Sequence, residues 1–169
     1  TTIRPTGNAD LDAALRASSD LLSLQKTQAV SPFALTGRIH NDYSRLISAL
    51  ESYGYYAGSI SISVTDASTR PADGADRGHD GRDPDLPEWL QTIPTGHKAQ
   101  ITITATPGVQ FTIGTVTLTP DKGDPPVHLN ADEAKAFGMK PGMPAQAETV
   151  LGAGSALQTA MTEEGYALV

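Results

Sequence analysis

The amino-acid sequence predicts an α+β fold, because the spacing of its apolar residues changes from the period of a helix to that of a strand within one short stretch. Apolar residues at positions 43–50 recur at every third or fourth position, as on one buried helix face. Those at positions 60–64 alternate with serine, as on a half-buried strand. Gly54 separates the two patterns and is the expected end of the helix.

An internal repeat is the second observation, and it predicts two tandem modules. Residues 157–166 match residues 46–55 at their apolar or small helix positions and at the Gly-Tyr pair that follows them. We therefore expect a first module at residues 1–107 and a second at residues 108–169. Each follows the order strand, helix, helix, strand, strand, and we expect the second to be truncated after its second helix.

The composition limits what such modules can bind. Hydrophobic residues make up 38% of the 169 residues and aromatic residues only 5%, which suffices for small aliphatic cores. A net charge of −7 argues against a nucleic-acid partner, which would require a basic face. Cysteine is absent, so disulfides and thiol chemistry are excluded. No apolar run reaches the roughly 18 residues that a membrane-spanning helix needs.

The first module opens with a short predicted strand at residues 2–6 and two amphipathic helices. Asn8 or Asp10 caps the first helix, since either side chain can accept hydrogen bonds from first-turn N–H groups. One apolar face of this helix extends to Leu22. The second helix begins at Ser31-Pro32, where serine is the cap and proline occupies the first helical position.

Two further strands complete the first module as a hairpin with an oversized loop. Residues 59–65 and 99–106 both show strand alternation and are predicted to pair, which makes a sheet of three strands. Residues 66–96 between them form a long acidic segment, for which we expect a solvated loop. Its carboxylates do not match the calcium-loop pattern. We expect Trp89, within this loop, to fold back onto its own module.

The second module begins after Pro107-Gly108, a predicted turn or hinge. Two sets of apolar residues alternate in opposite phase across Gly114, which predicts a strand with a β-bulge or a bend there. The expected elements are a strand, a short helix ended by Gly138 and a longer helix, at residues 109–118, 131–137 and 144–164.

Three motifs carry a resemblance to a known family. They are Gly-Tyr-Tyr at residues 54–56, Pro-Gly-Val-Gln-Phe-Thr-Ile-Gly at residues 107–114, and Gly-Met-Lys-Pro-Gly-Met-Pro at residues 138–144. In order and spacing they resemble the POTRA domains of the outer-membrane assembly family, with most similarity to the translocation and assembly module (TamA) type. The resemblance implies tandem POTRA-like βααββ modules.

The resemblance also implies a function in protein transport. It implies a non-enzymatic, periplasm-facing part of a Gram-negative outer-membrane protein whose barrel is absent from this chain. The implied partners are unfolded outer-membrane or autotransporter polypeptides and an inner-membrane-anchored partner of the TamB type. Two alternatives are a BamA-type or two-partner-secretion POTRA region, and a secreted or surface-attached module that binds protein through the acidic loop and Trp89.

In POTRA sheets the strand after the Gly-Tyr pair is implied to be an exposed edge. An edge offers unpaired N–H and C=O groups, to which an extended peptide can add with bonds that are largely indifferent to its sequence. We expect the N–H of Ser61 or of Ser63 to point outward, so that proline there would weaken binding. Pro107 and Gly108 would be the interdomain hinge. The predicted edge consists of Ser59, Ile60, Ser61, Ile62, Ser63, Val64 and Thr65. The alternative is an edge blunted by the long acidic segment, because residues 66–96 leave from the end of this strand.

No catalytic, cofactor or metal site is predicted. The four histidines have no metal-binding spacing, and the serines occur in no nucleophile motif. We therefore expect a binding protein and not an enzyme.

Overall fold

The computed structural model describes residues 1–25, 30–67, 78–119 and 128–163. The fold is α+β, as predicted, and of the described residues 47% are helical and 16% are in strands. Gly165-Tyr166, the end of the sequence repeat, lies outside the described residues. The elements are β1 (Thr2–Ile3), α1 (Ala9–Ser18), α2 (Asp20–Ser23), α3 (Pro32–Ser52), β2 (Ser59–Asp66), β3 (His79–Asp80), α4 (Leu86–Thr92), β4 (Ala99–Thr106), α5 (Ala131–Phe137) and α6 (Ala147–Glu163).

The chain divides into two compact units. Unit 1 comprises Thr1–Leu50 and Ala57–Val109, and unit 2 comprises Glu51–Tyr56 and Gln110–Val169. The division between Val109 and Gln110 falls close to the predicted module boundary at residues 107–108. The grouping of residues 51–56 with unit 2 differs from the sequence analysis, which assigned the Gly-Tyr-Tyr motif to the first module.

Unit 1 contains a mixed sheet in the order β1-β4-β2-β3. β1 runs parallel to β4, and β2 runs antiparallel to β4 over its whole length, from Ser59↔Thr106 to Asp66↔Ala99. The predicted hairpin is thus confirmed. The prediction of three strands is wrong, because β3 pairs with β2 at Ser63 and Val64 as a fourth strand.

The core of unit 1 consists of the apolar side chains of its strands and helices. Alternate positions of β2 and β4 are buried, as their sequence pattern predicts. The fully buried side chains with no exposed surface include Leu11, Leu15, Ile39, Leu46, Leu50, Ile62, Val64 and Ile103.

The first predicted helix is divided into α1 and α2 at Ser19. The extended backbone of Ser19 ends α1, and its Oγ accepts the N–H of Leu22 to begin α2. Asp42 of α3 holds this junction: its carboxylate accepts Ser19 Oγ–H at 2.6 Å and the N–H groups of Asp20 and Leu21 at 2.9 and 3.1 Å. Asp42 is fully buried. The interruption therefore depends on a partner that is distant in sequence.

The segment predicted as an acidic loop contains β3 and α4. Leu86 and Leu90, one turn apart on α4, are both buried. This spacing buries one face of a short helix, and the expectation of an unstructured loop is wrong for these residues. Residues 68–77 lie outside the described part of the chain.

In unit 2 the predicted short helix is confirmed as α5. Asn130 and Glu133 form a capping box at its start, and Gly138, with φ of 62°, ends it. The longer helix, α6, begins three positions later than predicted, at Ala147, because Pro144 forms a β-bridge with Thr112.

The strand predicted at residues 109–118 is wrong. Phe111 N–H donates to the Gly54 carbonyl, and Phe111 O accepts the N–H of Ala145, both at 2.8 Å. Ile113 exchanges backbone bonds with Met143 and Gly142 at 2.7 and 2.8 Å. Among the described residues the pairing extends no further, so residues 109–118 form no continuous ladder there and Gly114 is not a bulge within a strand.

Candidate peptide-binding edge

The direction of the backbone groups along β2 follows from its pairing with β4. Ala67 N–H donates to Lys98 O, and the register makes Ser61, Ser63 and Thr65 the residues whose backbone groups face β4. The backbone N–H and C=O of Ile60, Ile62 and Val64 therefore point to the outer side of the strand. Their side chains are all buried on the inner face of the sheet.

This geometry corrects the predicted edge at residues 59–65. β3 covers the outer side at Ser63 and Val64, and Gly81 N–H donates to Ile62 O at 2.7 Å. Within the described residues, no hydrogen bond reaches the outward N–H and C=O of Ile60. The open part of the edge is thus the Ser59–Ser61 end, and prolines at Ser61 or Ser63 would break bonds to β4 instead of outward ones.

Tyr43 of α3 joins the inner helix to this edge. Its Oη accepts Ile62 N–H at 3.2 Å, and its own proton lies within reach of Asp80 Oδ1 at 3.1 Å and Ile62 O at 3.5 Å. Burial raises the pKa of the Tyr43 hydroxyl, so this group keeps its proton for the Asp80 carboxylate. The Arg82 guanidinium lies 4.0 Å from the centre of the Tyr43 ring.

His79 and Trp89 stack beside β3, with ring centroids 4.2 Å apart. The prediction that Trp89 folds back onto its own module is therefore confirmed. His79 Nδ1 also lies 3.3 Å from Asp83 Oδ2. The Asp85 N–H and then the His79 side chain lower the pKa of Asp83. These contacts connect β3 to the start of α4.

Glycines on both sides of β3 allow its close approach to β2. A Cβ at Gly78, whose φ is 59°, would lie 2.7 Å from Thr65 Cγ2. A Cβ at Gly81 would lie 2.6 Å from Ile39 Cγ2. Any larger residue at either position would push the segment away from the sheet.

The other candidate groups form no cluster with the edge. His97 pairs with Asp66 at 2.9 Å, where the His97 side chain is 39% exposed and that of Asp66 is 13% exposed. Within the part of the chain that the structure describes, no three histidine or carboxylate side chains converge on a metal-binding position. Asp73 and Asp76 of the acidic segment lie outside that part. No helix among the described residues is both long and apolar enough to cross a membrane.

The predicted hinge residues Pro107 and Gly108 directly follow β4. Gly108 has φ of 72°, in the left-handed region that favours glycine. The division between the units falls just after them, at Val109.

Sequence reasoning did not find β3 or the hydrogen bonds that Tyr43 Oη forms with Ile62 and Asp80. His79-Asp80 has no apolar alternation to mark a strand, and Tyr43 fits the apolar period of α3 as an ordinary core residue. The pair of glycines around His79-Asp80 is the one available signal of a closely packed segment. Comparison of the chain with protein-family models, curated proteins and solved structures finds no match.

Proposed function

We propose that this chain is a non-enzymatic, polypeptide-binding segment of the POTRA type, belonging to an outer-membrane assembly protein of the translocation and assembly module kind. It faces the periplasm and binds unfolded outer-membrane or autotransporter polypeptides by β-augmentation on β2. The observation that carries this proposal is the outward row of backbone groups at Ile60, Ile62 and Val64, of which Ile60 has no partner among the described residues.

The topology of unit 1 supports the proposal. Leaving aside β3 and α4, and counting α1 and α2 as one divided helix, its order is β1, two helices, β2, β4, which is the βααββ order that the sequence resemblance implies. β3 and α4 are then an insertion between the last two strands. The inner-membrane-anchored partner of the TamB type is proposed on the resemblance alone.

The physical basis of the binding is backbone pairing. An added strand gains affinity from main-chain hydrogen bonds, so sequences of many kinds can bind. The exposed side chains of Ser59 and Ser61 are small and offer little obstruction to different incoming side chains. Such tolerance suits a protein that binds many unfolded barrel strands, each about ten residues long.

Site-specific photo-crosslinking tests the proposed edge. A photoreactive amino acid at Ser61 is expected to crosslink unfolded outer-membrane polypeptides in cells that make the full-length protein. The same group at Ser48, an equally exposed serine on α3, is the matched control and is expected to give none. Equal crosslinking from both positions, or none from Ser61, would contradict binding at β2.

Cell fractionation tests the cellular context separately. An antibody raised against this chain is expected to detect a protein in the outer-membrane fraction. Detection only in the culture medium would favour the alternative of a secreted protein-binding module.

A further inference from the structure

β3 occupies the position that an incoming peptide strand would take. It lies antiparallel to β2 with Asp80 opposite Ser63 and His79 opposite Val64, and Gly81 N–H extends the pairing to Ile62 O. These are bonds of the kind that an added strand forms. We infer that residues 78–82, the β3 cap, are an internal substitute for the peptide that must leave β2 before a polypeptide can bind along its whole length. This inference rests on the proposed function.

The backbone pairing of the cap is short. β3 is only two residues long, and side-chain contacts supplement its backbone pairs: the Asp80 carboxylate on Tyr43 Oη, the His79 ring on Trp89 and the Arg82 guanidinium over the Tyr43 ring. By contrast, β2 and β4 pair over eight residues. The pairing of β2 with β3 is therefore weaker than its pairing with β4. The β2–β3 pairing can open while β2 and β4 stay paired.

The cap covers only part of the edge. Ile60 lies beyond it, with outward N–H and C=O groups that have no partner in the described residues. An extended polypeptide can therefore begin to pair at Ile60 and then replace the cap at the Ile62 carbonyl and at Val64, while the Ile62 N–H stays on Tyr43 Oη. Binding by this route requires no unfolding of the core.

The cap should lower the apparent affinity by a measurable factor. If the uncapped state is a minor state of about 0.1–10%, the apparent affinity falls by about 10- to 1000-fold relative to that of the open edge. The same cap protects β2 from pairing with other chains when no polypeptide is present.

A reversible disulfide tests the inference directly. Ser63 and Asp80 stand opposite each other between two hydrogen-bonded pairs, the arrangement with the closer Cα atoms. Because the natural chain has no cysteine, Ser63→Cys with Asp80→Cys introduces a single possible bond. The probe is a fluorescein-labelled peptide of about ten residues with alternating valine and threonine, the length of a membrane-crossing strand.

The oxidised double variant is expected to lose peptide binding, and reduction is expected to restore it to at least the natural level. Ser59→Cys with Thr106→Cys, which joins β2 to β4 and leaves the outer side unchanged, is the matched control and should bind equally in both states. Arg82→Gln, which removes the cation above Tyr43 without a change in the core, should bind about tenfold more tightly than the natural chain.

The outcomes distinguish failure of the cap hypothesis from failure of the proposed peptide binding at β2. Equal binding by the oxidised and reduced forms of the Ser63–Asp80 variant would overturn the cap, while crosslinking from Ser61 would still support the edge. Absence of binding by the reduced variant and the natural chain, together with no crosslinking from Ser61, would overturn both.

Discussion

Units 1 and 2 are stabilised in different ways. Unit 1 has a four-stranded sheet and contains all but two of the buried apolar side chains among the described residues. In the described part of unit 2 the buried apolar side chains are Ala153 and Leu157, both on α6. Its hydrogen bonds there include the capping box of α5 and the backbone pairing of Phe111 with Gly54 and Ala145.

The difference shows that the same helix-forming patterns can occur with many or with few buried apolar side chains. A core couples many residues, so a single truncation within it affects the whole unit. A cap or a short backbone pairing affects mainly its own element. Substitutions in the two units should therefore change the free energy of unfolding by different amounts.

The largest effect is expected at Leu46, which has no exposed surface in α3. Leu46→Ala should lower the free energy of unfolding by about 2–5 kcal/mol, because it removes buried methyl groups and leaves a cavity. Urea unfolding monitored by circular dichroism measures the change. The control is Leu151→Ala on α6, where the side chain is 72% exposed and the expected change is below about 0.5 kcal/mol. Similar losses at both positions would contradict the place of Leu46 in the core of unit 1.

The next largest effect is expected at the buried carboxylate of Asp42. Asp42→Ala leaves the Ser19 hydroxyl and the N–H groups of Asp20 and Leu21 without their acceptor, at a cost of about 3 kcal/mol. Thermal unfolding provides the measurement. The matched variant Asp20→Ala removes only a partly exposed ion pair with Arg45 at 3.1 Å, and should cost less than about 1 kcal/mol. A larger loss at Asp20 than at Asp42 would show that the buried junction is not the stronger interaction.

A smaller effect is expected in unit 2 at the capping box. Asn130 Oδ1 accepts the N–H groups of Asp132 and Glu133, so Asn130→Ala should destabilise α5 by about 1 kcal/mol. Hydrogen exchange of the α5 amides should speed up, while the amides of β2 and β4 keep their protection. Asn130→Asp, which retains the acceptor, is the control. Faster exchange throughout unit 1 would refute a local effect.

The smallest expected effect is the contribution of Asp12 to the pH dependence of stability. Its carboxylate accepts the N–H and the hydroxyl of Thr6 at 2.8 and 2.7 Å, and these bonds lower the pKa of Asp12. A lowered pKa gives a stabilisation that is complete above the ordinary value of 3.8 and is lost as pH falls through the folded-state value. Asp12→Asn should therefore show a slightly weaker loss of stability between neutral and acid pH. An identical pH profile in urea titrations would exclude this contribution.

Much of the fold could be predicted because its signals are local. Alternation identified β2 and β4, and the serine-proline pair identified the start of α3. Gly138 marked the end of α5 because only a left-handed residue fits there.

The remaining features depend on distant partners. The break at Ser19 needs Asp42, and β3 needs the edge of β2 with Tyr43 beneath it. Residues 109–118 alternate like a strand, but a strand needs a ladder partner. In the described part of the chain, Gly54 and residues 142–145 provide a short one. The location of the candidate edge was thus predictable from the alternation of β2. The identification of β3 as the strand that covers it, and the direction of its N–H groups, required the pairing register.

Because Gly54 accepts the Phe111 N–H, unit 2 includes residues encoded far upstream of its main body. A gene rearrangement with one crossover near codon 109 would transfer residues 110–169 without the Gly-Tyr-Tyr segment. The unit cannot be inherited as one contiguous piece. Exchange of such units between related genes would have to preserve both segments together, which ties the sequence at the end of α3 to that of the chain after β4.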